Sequence, residues 1–393
     1  MRNRWEPAEL GALCEFVKGN SPTQKTPPGP YPLIVTGPDP LSSDSFQFDG
    51  EAVCVPMVSS TGHGHASLKR VHYASGKFAV ANIVTACVVR DGEMCDTKFL
   101  WHFLHHFKDD LIVSRMKGTA NVSLSVRELG KVPIILPPPA EQRRIVDLIT
   151  AIDDARAAVE DIRIGASRLL DSVREEFYVT GPKPLRPLGA LAVMRSGPSW
   201  KATDESPSKK EGYAPVLGIT NTPAGRGLDL SQQKFVRGLS GTVMRLNDSS
   251  LIMIRTNGNR ARIGNVYRAT AAVAGYAVSA FQITIEPRRV ADSPFLYWIL
   301  GTPSIQQRIS KAASGSTGLG NVAIGWLKEL VVPYSEGSVQ LADFVETCEA
   351  IAAVADEAQV EANSLQVLRS ESLTALLSGE HTIPESYDEL IGA

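Results

Sequence analysis

One arrangement of residues occurs twice in this chain. An α+β stretch ends in a Val-Pro strand and runs into one long helix with heptad patterning, first over residues 1–180 and again over 181–379. Two copies of a unit in one chain imply a pseudo-twofold internal repeat, which constrains both the fold and what it can bind. Three anchors carry the repeat. Phe99-Leu100-Trp101-His102-Phe103-Leu104 returns as Phe295-Leu296-Tyr297-Trp298-Ile299-Leu300, and Asn121-Val122 with Val132-Pro133 returns as Asn321-Val322 with Val332-Pro333. The third anchor is the helix. Ile145, Leu148, Ile152, Ala155, Val159, Ile162, Ala166, Leu169 and Val173 step alternately by three and four, as the seam of a coiled coil does. Leu341, Phe344, Cys348, Ile351, Ala355, Ala358, Ala362 and Leu365 repeat that pattern. The fold expected is α+β: two globular domains (1–139 and 181–336) joined by two long antiparallel coiled-coil helices (140–180 and 337–379), with an acidic tail at 380–393. Arg143, Arg144, Asp147, Asp154, Glu349, Asp356 and Glu361 are expected on the outward helix faces.

At 393 residues the chain has room for two or three domains with proper cores, and 43% hydrophobic with 21% charged residues fits a soluble globular protein. No apolar run reaches the 18 or more residues of a membrane span, and the N-terminus lacks the apolar core of a signal peptide, so a cytoplasmic location is expected. Five cysteines without a C-x-x-C pair indicate buried reduced thiols rather than disulfides or zinc.

The formal net charge of −2 conceals a segregation. Residues 181–336 carry 19 basic and 9 acidic side chains, whereas 337–393 carry 1 and 11. A polyanion on one face and other partners on the helices would use such a division; plain solvation of the second helix is the alternative.

Loops with base-reading chemistry follow a short strand in each half. Leu251-Ile252-Met253-Ile254 leads into a polar loop with Arg255, Asn257, Asn259, Arg260, Arg262 and, on the returning strand, Arg268. In the first half Val55-Pro56-Met57-Val58 leads into a Gly-rich loop with His63, His65, Lys69 and Arg70. Arginine forks suit guanine edges, asparagine suits adenine, and glycine admits close backbone approach. A second pair of loops precedes the Val-Pro strands, each after an amphipathic helix (about Thr97 to Phe107 and Pro294 to Lys311). Arg115, Lys117 and Asn121 in one, and Lys311, Ser314, Ser316 and Asn321 in the other, suit phosphate contacts. Solvated surface hairpins are the alternative for any one of these residues.

The segment Val132-Pro133-Ile134-Ile135-Leu136-Pro137-Pro138-Pro139-Ala140-Glu141-Gln142-Arg143-Arg144-Ile145-Val146, followed by the heptad helix, resembles the junction in specificity subunits of type I restriction-modification systems. There a target recognition domain ends in a proline-rich strand and an Ala-Glu-Gln helix start. The second junction, Val331-Val332-Pro333-Tyr334-Ser335-Glu336, lacks the Pro-Pro and the Glu-Gln. The resemblance extends in outline over the whole chain. It implies a non-catalytic reader of double-stranded DNA that docks two adenine methyltransferase subunits and, through them, restriction subunits. It implies no cofactor on this chain, with S-adenosylmethionine and ATP with magnesium in the partner subunits. A helix over 141–178 would span about 57 Å at ~1.5 Å per residue. That ruler matches half-sites roughly 34 to 36 Å apart and an asymmetric, bipartite target. The recognition subunit of a type IIB-like system and a coiled-coil protein scaffold are the alternatives.

No catalytic apparatus is legible. Pro137-Pro138-Pro139 is not an adenine methyltransferase motif, and Gly315-Ser316-Thr317-Gly318-Leu319-Gly320 lacks the Gly-Lys-Ser/Thr of a phosphate loop. His102, His105 and His106 read as packed or solvated histidines rather than metal ligands.

Overall fold

A computed structural model describes residues 5, 7–61, 64–119, 121–313 and 318–391. The chain divides into two units, one of residues 1–159 with 360–393 and the other of 160–359. Each unit therefore takes its globular part from one repeat and its helical part from both long helices, Pro139–Thr180 and Val339–Leu377.

In unit 1 a six-stranded sheet has the order Cys14–Lys18, Val84–Val89, Phe48–Pro56, His72–Val80, Tyr31–Ile34, Leu41–Ser43. Its pairs are antiparallel except Leu33↔Ala79 and Ile34↔Val80. The central strand alternates between two cores, as the period of two requires. Val53 and Val55 pack toward Phe99, Phe103 and the helix Thr97–His106, whereas Ala52 and Cys54 pack toward Leu33, Phe78 and Val80. The Asp96 carboxylate starts that helix by accepting the Phe99 N–H at 2.8 Å.

Unit 2 repeats the first four strands of that order as Ala192–Ser196, Gln282–Pro287, Leu251–Ile254, Val266–Arg268. Four further strands form a separate sheet (Glu205–Ser206, Lys234–Arg237, Tyr213–Leu217, Ala277–Val278). The split has a local cause. Where unit 1 has the single strand His72–Val80, unit 2 inserts a 3-10 turn, Ala271–Val273, between two short strands.

Two further echoes of the repeat emerge. Leu10-Gly11-Ala12-Leu13 and Leu188-Gly189-Ala190-Leu191 form the same short helix. Gly19 and Gly197 each lie where a Cβ would fall 2.2 and 2.0 Å from the carbonyls of Ala81 and Val278. The strands after the second polar loops match as well, Pro133–Ile135 pairing with Pro7–Glu9 and Val331–Pro333 with Leu185–Pro187. The Val-Pro pairs, however, are two residues out of register: the carbonyl equivalent to that of Val132, which accepts from Leu10 N at 2.9 Å, is that of Leu330, which accepts from Leu188 N at 2.8 Å.

Within each unit the long helices run antiparallel. In unit 1 Glu141 accepts the Ile383 N–H, Arg144 forks onto Asp388 and Asp153 meets Arg369 at 2.7 Å, while Ile145, Ile149 and Ile152 share a core with Leu373, Leu376 and Leu377. In unit 2 Phe177 stacks on Phe344 at 4.1 Å, and Leu170 shares a core with Leu341, Phe344, Cys348 and Ala352.

Several expectations change. Of the seam residues, Ile145, Ile152, Val159, Leu341 and Phe344 are buried, and Leu148, Val173, Ile351 and Leu365 are half-buried. Ile162 and Leu169 are 53% exposed, and Leu170 is buried instead. A 3-4 and a 4-3 reading of one heptad helix share every second seam position and differ by one residue at the others. Apolar residues at both 148/149 and 169/170 leave the sequence ambiguous there, and packing against Phe344 and Cys348 selects Leu170. The helix expected from Pro294 to Lys311 is two, Ser293–Leu300 and Pro303–Ala312, because Pro303 lacks the N–H to continue the first and restricts Thr302. Arg144 is buried rather than outward, Glu349 accepts from Arg268 and Trp298, and Asp356 pairs with Arg226. The acidic tail packs within unit 1 through buried Ile383 and through half-exposed Asp388, which pairs with Arg144. All five cysteines are buried and free.

Candidate nucleic-acid interface

The two kinds of polar loop come together at one edge of each unit. In unit 1 the central strand leaves the sheet at Met57, whose N–H donates to the Ile83 carbonyl at 2.9 Å and whose carbonyl accepts from Leu124 N at 2.8 Å. Ser59 N then donates to Val122 O at 2.9 Å, so loop 59–70 lies beside loop 115–123. Lys117 and Ser123 exchange both backbone bonds around Gly118, whose φ of 138° favours glycine. The first loop is held by its own hydroxyls, Ser59 Oγ donating to Thr61 O at 3.0 Å and to His65 O at 2.5 Å. This internal bonding leaves His65, Lys69, Lys117 and Asn121 exposed. Arg70 is exposed but donates to Pro38 O at 3.1 Å, and Arg115 turns back to Leu111 O at 2.6 Å.

Unit 2 uses the same joints. Arg255 N donates to Phe281 O at 2.8 Å, Val322 N donates to Arg255 O at 3.1 Å, and Thr256 pairs with Asn321. Asn257 and Asn259 each accept a backbone N–H two residues on, at 2.9 and 3.0 Å, which fixes the loop. Asn259, Arg260 and Lys311 are exposed, and Asn257 and Asn321 are half-exposed.

Three arginines read as base readers serve the fold. Arg255 donates to Val322 O at 3.2 Å and to Ser196 Oγ at 3.1 Å; Arg262 donates to Thr222 O and Tyr267 Oη. Arg268 donates to Glu349 and lies 4.2 Å from the Tyr297 ring centre and 5.1 Å from that of Trp298. Burial pushes the Glu349 carboxyl up, but hydrogen bonds from Arg268 and Trp298 outweigh it and hold the group below the usual range. His63, Ser314 and Ser316 lie outside the described residues.

Beside the unit 2 loops opens a cleft of about 660 Å³, lined by Trp200, Glu205, Lys234, Thr256, Asn257, Phe281 and Leu319 among others. The Trp200 indole donates to Glu205 at 2.8 Å and Lys234 donates to it at 3.1 Å; these bonds hold its carboxyl low, so it is charged. None of Trp200, Glu205, Lys234 or Phe281 stood out in the sequence. Aligning Gly19 with Gly197 and Ile83 with Phe281 supplies the signal that was missed.

Among the described residues no group of three or more His, Cys, Asp and Glu is placed to hold a metal. His105 Nδ1 lies 3.2 Å from Val71 O and His106 Nε2 lies 3.0 Å from Thr374 Oγ1, while His102 is buried against Trp101. No helix among the described residues is long and apolar enough to cross a membrane.

Residues 3–164 match the family described as type I restriction modification DNA specificity domain. The match takes in the first globular part, with both of its polar loops, and the beginning of the first long helix. The likeness seen at the junction motif is thereby shown, on the unit whose two loops meet at one edge. The fold agrees over the whole chain. A crystal structure of the type I restriction-modification system S subunit from M. genitalium is 18% identical, covers 95% of this chain and 96% of that one, and superposes with a TM-score of 0.61. A chain from a structure titled for complex assembly and conformational transition of the type I R-M system is 14% identical, covers 97% and 99%, and gives 0.59. No curated protein matches the chain by sequence. The specificity-domain match stops before unit 2's globular part, so the likeness of that part rests on fold.

Proposed function

We propose that the chain is the sequence-specific DNA-recognition subunit of a type I restriction-modification complex, without catalytic activity of its own and acting in the cytoplasm. The observation that carries this is the recurrence, in both units, of a composite edge made from two polar loops joined by equivalent backbone bonds. His65, Lys69, Arg70, Lys117 and Asn121 face one half-site, with Asn257, Asn259, Arg260, Lys311 and Asn321 facing the other. Cations and backbone amides grip phosphates; the amide side chains read base edges. Because the two edges carry different sets of side chains, the two half-sites differ and the target is asymmetric. Domain limits near 139, 181 and 337 follow from the same reading.

The helices dock two methyltransferase subunits, which carry S-adenosylmethionine, and through them ATP-dependent restriction subunits. Exposed apolar side chains support this: Ile162 and Leu169 on the first helix, Val360, Val367 and Leu368 on the second. The test is selection from a random duplex pool by the full chain purified with its methyltransferase. Enrichment of two different short sequences at one fixed spacing is expected. Enrichment of a single contiguous sequence, or of none, refutes the proposal.

A further inference from the structure

Each loop edge carries, at the same place, a bulky apolar side chain that no core takes up. In unit 1 it is Ile83, at the turn between His72–Val80 and Val84–Val89; in unit 2 it is Phe281, between Ala277–Val278 and Gln282–Pro287. The positions are equivalent, since the Ile83 carbonyl accepts from Met57 N and the Phe281 carbonyl from Arg255 N, the first residue beyond the central strand in each case. Ile83 is 36% and Phe281 46% exposed. Tight turns favour Gly, Asn, Asp and Ser, so an apolar residue at this turn in both units is not explained by turn chemistry. The backbone carbonyl makes the structural bond, and the side chain is free of that duty.

The cleft around Phe281 holds apolar groups, neutral polar groups and one charged pair, Glu205, which accepts from Trp200 at 2.8 Å and from Lys234 at 3.1 Å. Leu319, also exposed, and the Trp200 ring line the same cleft, together with the hydroxyl of Thr256 and the amide of Asn257. An apolar contact set beside a hydroxyl and an amide matches one feature of duplex DNA. In the major groove the thymine C5-methyl is the apolar group, and it lies next to hydrogen-bonding base edges.

We infer that Phe281, with Leu319 on the same cleft, contacts a thymine methyl in the half-site read by unit 2, and that Ile83 does the same in the half-site read by unit 1. This rests on the DNA-recognition reading above and adds a specificity determinant to it. Both are positioned by backbone that a truncation leaves in place.

The test uses the full chain with its methyltransferase and a duplex carrying the selected target, in which each thymine is replaced in turn by deoxyuridine. That replacement removes only a methyl group. Affinity falls about fourfold at one position in the unit 2 half-site, the size expected for one buried methyl group. Phe281→Ala erases that thymine-to-uracil difference and leaves the other half-site's difference unchanged, while Ile83→Ala does the reverse. Thermal unfolding of each variant establishes that the fold is retained. Specific binding that is indifferent to every replacement overturns the inference, as does a Phe281→Ala protein that keeps the full difference. If the unaltered protein does not prefer the target to a scrambled duplex, the recognition reading itself fails.

Discussion

Gln142 shows what the Ala-Glu-Gln signature does physically. Its side chain is fully buried, accepts from Asp96 N at 2.8 Å, and donates to Met94 O at 2.9 Å and Pro137 O at 2.8 Å. It thus ties the start of the long helix to the residue that caps the helix Thr97–His106. Unit 2 lacks this glutamine and closes the equivalent joint with Tyr334, whose hydroxyl donates to Asp292 just before the helix Ser293–Leu300, at 2.8 Å. The departure in the second junction is therefore a change of bonding group at the same place in the two units. Gln142→Ala strands one buried N–H and two carbonyls and is expected to cost about 3 kcal/mol; Tyr334→Phe removes one bond and costs about 1 kcal/mol. Urea unfolding of both variants checks the order, and equal losses contradict it.

At the scale of elements, the seam is the part the sequence left undecided. Leu170→Ala empties a buried site and is expected to destabilise by about 3 kcal/mol, whereas Ile162→Ala and Leu169→Ala change stability by less than about 0.5 kcal/mol. Denaturation of the isolated chain measures this; a large loss at Leu169 restores the other phase of the heptad. If the exposed pair docks a methyltransferase, Ile162→Glu with Leu169→Glu weakens that binding without unfolding the chain. What was legible in the sequence was local: heptad steps, the Leu251–Ile254 strand run, the Val-Pro strands and the polar loops that follow or precede them. What was not legible depended on partners distant along the chain. Arg262 is held by Thr222 and Arg268 by Glu349, and no spacing rule announces either pairing. The meeting of loop 59–70 with 115–123 was likewise invisible, because backbone bonds between remote segments leave no residue pattern.

At the scale of the whole molecule, the two units differ in titratable groups as well as in charge. All seven histidines, at 63, 65, 72, 102, 105, 106 and 381, belong to unit 1. Burial pushes His72 and His102 down to about 4, and it lowers His105 and His106 as well. Below the ordinary value near 6.5 the unfolded chain takes up protons that these folded sites refuse, so stability falls as pH drops from about 6.5 toward 4. At pH 5.5 His72 and His102 together remove on the order of 2–3 kcal/mol. Hydrogen exchange followed across that range is expected to open unit 1 first; earlier opening of unit 2 contradicts the assignment. Unit 2 carries instead the strongly basic 181–336 segment, so its hold on DNA is expected to weaken more steeply with salt. The account as a whole turns on whether this chain chooses the DNA sequence. Adenine methylation mapped genome-wide in a host with and without the gene tests that most directly. One bipartite, asymmetric motif is expected to lose methylation when the gene is removed, and an unchanged methylation map would contradict the assignment.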